Sequence, residues 1–208
     1  MYFCVLKKNV LNSKKEILSK YLPEKSVDLV VQLLEKHPCH LKIVNNRKTK
    51  HGDFRALSNG NYQISINNDL NKYRFLLTLI HEIAHLVTFK NHRGVKPHGA
   101  EWKRNFQHLM LVFVNPEIYP KEILPFLAHY LINPKASTDT DVKLSLALKR
   151  FDQITDKHFI FEIPLASKFK HNNKIFVRGN KRRTRFECIE VYTDKKYLFH
   201  ANAEVDML

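Results

Sequence analysis

Apolar residues recur at helical spacing in two early stretches of the chain, over 13–22 and 24–37. Ser13, with Glu16 three residues on, makes a capping box for the first stretch. In the second, Pro23 stands at the opening, Val27, Val30, Val31 and Leu34 share one face, and Pro38 ends the run. The period then shortens to two. Leu41-Lys42-Ile43-Val44 and Tyr62-Gln63-Ile64-Ser65-Ile66 alternate as half-buried strands do. The basic, turn-rich stretch between them has room for another short strand around Gly52-Asp53-Phe54-Arg55. A long helix is predicted over 71–90, with Asn68, Asp69 and Asn71 as candidate caps and Gly94 beyond its end. After the turn Pro97-His98-Gly99 a further helix covers 100–113, and a shorter one follows Pro120 and runs to 131.

The stretch from Asn133 to Asp141 is built of turn-forming residues and reads as a linker. A helix is expected at 142–151, then strands at 159–163, 174–178, 185–191 and 197–199. No internal repeat is visible. The pattern as a whole is that of an α+β protein. It divides into a mixed domain over 1–132, a linker with a helix over 133–154, and a basic, β-rich region over 155–208.

Within the long helix, Leu76, Leu79, Ile80, Ile83, Leu86 and Val87 gather in about 100–120° of the helical wheel. His81 and His85 lie on the other side, beside Thr78 and Thr88. The expectation is a helix that buries one stripe and turns its histidines toward a different surface, a cleft. That surface has the spacing of a metal site. Histidines four apart on a helix differ by about 40° in direction, so both imidazoles reach one ion. Glu82 points about 100° from His81 and flanks the metal, where its carboxylate can polarise a bound water.

A hydrolytic zinc needs a third protein ligand and an open position for water. The metzincin pattern requires Gly at 88 and His at 91, whereas this chain has Thr88 and Asn91, which excludes that class. His98 follows His85 past the turn that begins at Gly94, and a chain reversal there carries it back over the metal. It is the favoured third ligand, ahead of His92, Glu101 and His108.

The pair His81-Glu82-Ile83-Ala84-His85 and Pro97-His98-Gly99-Ala100-Glu101-Trp102-Lys103 resembles the SprT-like metallopeptidase family, which joins HExxH to a downstream HGxxW or HGxxF. The resemblance covers residues 5–113, and Asn67-Asn68-Asp69-Leu70-Asn71 before the helix fits it as well. It implies a small zincin-like domain, a single catalytic zinc held by His81, His85 and His98, and Glu82 as general base. Trp102 is then a packing residue beside the third ligand. Members include proteases that degrade proteins crosslinked to DNA. Many bacterial members end in a cysteine-rich zinc ribbon, and here Cys188 alone stands in the corresponding region. The expectation is a metal-free β-ribbon held by Phe159, Phe161, Phe176, Phe186, Tyr192, Tyr197 and Phe199.

Composition and charge add further constraints. The 208 residues are 44% hydrophobic with 14 Phe, enough for a real core, so wholesale disorder is excluded. The three cysteines, Cys4, Cys39 and Cys188, form no CxxC pair, which fits reduced thiols in a cytoplasmic protein. The first residues do not read as a signal peptide, and no stretch approaches the roughly 20 apolar residues that span a bilayer. A formal net charge of +15 points to a polyanionic partner. Between Ile163 and Phe186 there is no acidic residue, and Lys181, Arg182, Arg183 and Arg185 fall in a turn suited to gripping phosphates. A second cluster holds Arg47, Lys48 and Lys50. These residues are expected to bind DNA without sequence preference. Two readings follow: a zinc endopeptidase acting on protein substrates and associated with DNA, or a nucleic-acid-binding module or regulator with a structural or vestigial zinc site. No membrane partner is expected, and oligomeric state is not legible.

Overall fold

The computed structural model describes residues 12–47, 49–152 and 157–208. The chain is mixed α+β, with six helices and two sheets among the described residues. It divides into two compact units. One comprises Met1–Ala136 with Arg150–Asp152, the other Ser137–Lys149 with Gln153–Leu208.

In the first unit, helix α1 (12–19) and a 3-10 turn at Glu24–Ser26 lead into α2 (Val27–Lys36). Ser13 lies inside α1 and does not cap it. The second helix starts later than its apolar pattern suggests because the Ser26 hydroxyl donates to the Pro23 carbonyl at 2.6 Å, closing the tighter turn first. Strands β1 (His40–Val44), β2 (Gly52–Ala56) and β3 (Tyr62–Asn67) form a sheet in the order β1-β3-β2. The central β3 runs parallel to β1 and antiparallel to β2, and its Ile64 and Ile66 are fully buried. The edge strand β2 is the short strand that Gly52-Asp53-Phe54-Arg55 allowed.

Helix α3 (Lys72–Asn91) follows directly. Its cap is Asn71, whose side-chain oxygen accepts from the Tyr73 and Arg74 backbone N–H groups and so satisfies two orphan donors. The single apolar stripe expected for α3 is too narrow a description. Every residue from Arg74 to Thr88 is buried except His85, which is half-buried. The reason is tertiary: the sheet lies on one side of α3 and α4 (Ala100–Met110) on the other. Trp102, Phe106 and Met110 of α4 are fully buried. Helix α4 ends short of 113, leaving Leu111 and Val112 exposed while Phe113 turns inward. Helix α5 (Leu124–Ile132) completes this unit, together with Phe151, whose ring meets Tyr73 edge-on at 4.9 Å.

The second unit opens with a 3-10 turn at Thr138–Thr140 and α6 (Val142–Lys149). Its six strands are β4 (Lys157–Phe159), β5 (Lys168–His171), β6 (Lys174–Arg182), β7 (Arg185–Glu190), β8 (Lys196–His200) and β9 (Glu204–Met207). They form one antiparallel sheet in the order β4-β9-β5-β6-β7-β8. The strand expected over 159–163 stops at Phe159, because the Glu162 carboxylate accepts the Phe159 N–H at 2.7 Å and folds the chain into a turn. Strands β5 and β9 lie outside the alternating segments of the sequence. Each carries only one buried apolar residue, Phe169 or Val205, too few to show a period of two. The core gathers Ile160, Ile163, Phe169, Phe176, Phe186 and Cys188, with Phe161, Tyr197 and Phe199 packed against it. Tyr192, expected among the core aromatics, is 79% exposed, since it falls in the turn after β7.

Candidate metal centre

The chain brings three imidazoles to one point. His81 and His85 project from successive turns of α3, and His98 arrives from the turn before α4. Their Nε2 atoms lie 3.2 Å (His81–His85), 3.2 Å (His81–His98) and 2.9 Å (His85–His98) apart. Nitrogens held at about 2.0–2.1 Å by a tetrahedral ion lie about 3.3–3.4 Å from one another, so the triad has the spacing of a metal-ligating set. Among the described residues this is the one group of His, Cys, Asp and Glu side chains placed to hold a metal ion. His92 ends as the exposed cap residue of α3, Glu101 lies 3.8 Å from the Arg104 guanidinium, and His108 is exposed on α4. None of the three joins the group.

His98 reaches the triad at a backbone cost. Its φ is 58°, in the left-handed region that side chains with a Cβ rarely adopt, although histidine is among the more tolerant. The reversal is closed by the Gly99 N–H donating to the Lys96 carbonyl at 2.9 Å, and Gly99 then caps α4. One turn later Trp102 forms the floor, with its ring 4.6 Å from His81, 4.7 Å from His98 and 5.4 Å from His85. Phe106 stacks beneath it at 5.0 Å.

Burial holds all three imidazoles below their ordinary range. His81 is pushed down to about 2, by burial first and then by His85 and His98. His85 falls to about 4, by burial and then His98, and burial lowers His98 as well. The rings are therefore neutral at pH 7 and keep the lone pairs that metal ligation requires.

Glu82 lies in the same cleft, a space of about 290 Å³ whose walls are Gly52, Asp53 and Phe54 of β2, the three histidines, Glu82 and Ala136. Burial raises the Glu82 carboxyl to about 8, with Asp53 adding to the rise and Arg47, Lys50 and the Phe54 N–H opposing it. Strand β2 passes very close here. A Cβ at Gly52 would sit 2.7 Å from Thr78 Cγ2 and 2.8 Å from Glu82 Oε1, so only glycine fits without movement of α3 side chains. Gly52, Asp53, Phe54 and Ala136 were not singled out in the sequence as site residues. Gly52, Asp53 and Phe54 carry only the signal of a short strand of unknown partner, and Ala136 falls in the stretch read as a linker.

The basic residues fare unequally. The Arg47 guanidinium donates to Asn67 Oδ1 at 2.8 Å and to Ser65 Oγ at 2.9 Å, which ties it to β3. Lys50 is paired with Asp53, as is Arg55 at 2.6 Å. Lys48 lies outside the described residues. Lys181, Arg182, Arg183 and Arg185 form the β6–β7 hairpin tip, all exposed, with Arg183 at φ 54° and Arg182 bonded to Glu187 at 2.9 Å. Among the described residues no helix is long and apolar enough to cross a membrane.

Residues 25–121 match the model of the SprT-like family. The matched segment runs from the turn before α2 to beyond α4 and contains the three histidines and Glu82. The resemblance carried by the paired motifs holds for that segment. No solved structure gives a significant match to the chain.

Proposed function

We propose that this protein is a zinc-dependent metallopeptidase that hydrolyses peptide bonds of protein substrates. The observation that carries the reading is a triad of neutral imidazoles, His81 buried and His85 and His98 half-buried, opening on the same cleft as the buried Glu82 carboxyl. Three nitrogen donors suit zinc, and a structural zinc takes four protein ligands, whereas three leave a position for water. That difference favours an enzyme over a module with a structural site.

When bound, zinc would supply a Lewis acid that acidifies water toward a pKa of about 7 and polarises a carbonyl. His81, His85 and His98 would hold the ion, and Trp102 and Phe106 keep the imidazoles in place from behind. A cation beside Glu82 counters the burial that raises its pKa and favours the carboxylate. The carboxylate then takes the proton of the attacking water and passes it to the leaving amine. Glu82→Gln should keep the metal and lose hydrolysis by at least about a hundredfold, the lower range for general base catalysis. Metal analysis beside a peptide-cleavage assay checks both, and unchanged proteolysis sinks the assignment. His85→Ala should lose the metal itself.

The reading extends to a DNA-associated enzyme. Its support is the exposed hairpin tip with Lys181, Arg183 and Arg185, since Arg47 and Lys50 are already engaged within the first unit. Binding should weaken steeply with salt, and Arg183→Ala with Arg185→Ala should flatten the log–log salt slope by about 0.7 per lost contact on single-stranded DNA. A salt-independent affinity, or one untouched by the double substitution, counts against it.

A further inference from the structure

The cleft also carries an indication of which polypeptide segments it accepts. Of its walls, the histidines and Glu82 belong to the chemistry, and Asp53 is held by Lys50 and Arg55. Phe54 is the one large apolar residue left in the lining, with its backbone N–H bonded to Glu82 and its ring continuing into an aromatic cluster. It stands 6.2 Å from Tyr62 and 5.7 Å from Phe89, and Tyr62 and Phe89 are 6.1 Å apart. Phe89, near the end of α3, is 53% exposed, so this aromatic cluster is open to solvent rather than sealed as a small core.

We propose that Phe54, Tyr62 and Phe89 form a subsite for a bulky apolar or aromatic side chain of the substrate polypeptide. The site then selects unfolded or flexible segments that expose such a residue near the bond to be cut. Continuity with the cleft through Phe54 is the first support. The ring geometry is the second. Phe89 meets Phe54 at 59° and Tyr62 at 73°, so the three rings form one contiguous aromatic cluster rather than a flat stack, a surface on which an apolar side chain can pack. A nucleic-acid base needs a flat face with phosphate-gripping cations beside it. Here Arg55 is committed to Asp53, and Lys90 sits over the Tyr62 ring at 5.8 Å. A peptide side chain is therefore the better fit.

Cleavage selectivity rests on the peptidase reading, but binding does not, and the test separates the two. Fluorescein-labelled unstructured peptides, identical but for Phe, Leu or Ser at one position, are titrated against zinc-loaded Glu82→Gln protein. The Phe and Leu peptides should bind about tenfold more tightly than the Ser peptide, the equivalent of 1.4 kcal/mol. Phe89→Ala, at a half-exposed position, should abolish that difference with metal content unchanged, and Tyr62→Leu should reduce it. Equal binding of the three peptides, or a difference that survives both substitutions, overturns the proposal. So does a Phe89→Ala variant that loses single-stranded oligonucleotide binding while keeping the peptide preference. With Glu82 intact, the preference should appear in KM and leave kcat unmoved. Selective binding without any cleavage would retain the subsite and reject the peptidase reading. Cleavage without residue preference would do the reverse.

Discussion

Gly52 shows how little space the site leaves at the scale of a single residue. Adding one methyl group places it 2.8 Å from Glu82 Oε1 and 2.9 Å from Glu82 Cγ. Gly52→Ala should therefore lower kcat by roughly ten- to a hundredfold, the scale expected when a reacting group is displaced by about 1 Å. Metal content should stay intact, because the histidines are untouched. Adding Thr78→Ser removes the third crowded atom, Thr78 Cγ2, and should recover stability without recovering rate. Recovery of both would mean that Gly52 serves packing alone. A second residue-scale outcome concerns Cys39, whose thiol burial pushes up to about 11. A raised pKa favours the neutral thiol, so at pH 8 only about one part in a thousand is thiolate, the reactive form. Alkylation of Cys39, followed by mass spectrometry, should be very slow at pH 8 and accelerate as the pH approaches 11.

At the scale of elements, α3 carries the chemistry and must be anchored at both ends. Its start depends on Asn71, which caps two backbone N–H groups and also donates to the Asp152 carboxylate. Asn71→Ala should destabilise the protein by about 1 kcal/mol or somewhat more, in the range of lost caps, readable in chemical denaturation. Legibility of α3 was uneven. Its length, its start within three candidate caps and its metal spacing are all local properties, and all were visible. Its burial on every side was not. The wheel assigns a face by composition, and the ring of Trp102 opposite His81 and the passage of β2 over Glu82 depend on which elements dock there. The short strands β5 and β9 escaped notice for a related reason: their neighbours in the sheet, not their own alternation, make them strands.

At the scale of the whole chain, the first unit is not one continuous segment. Arg150–Asp152 belongs to it although the chain has already left at Ala136. Phe151 packs on Tyr73, and Asp152 accepts from the Asn71 cap. A fragment of residues 1–152 should accordingly melt a few degrees above one of residues 1–136, since an edge-on aromatic pair is worth about 0.5–1.5 kcal/mol and the cap bond adds to it. Equal melting temperatures would show that the returning segment contributes nothing. What the sequence by itself determined is whatever short-range spacing encodes. That covers the α+β class, the helix on which His81 and His85 share a face, and His98 in its motif after the turn. Only the tertiary structure decided what long-range packing controls. It brought His98 within 3.2 Å of both helix histidines through a left-handed backbone. It laid β2 against Glu82 and drew Arg47 and Lys50 inward to Asn67, Ser65 and Asp53. Such contacts join residues far apart along the chain, and no local period or spacing records them.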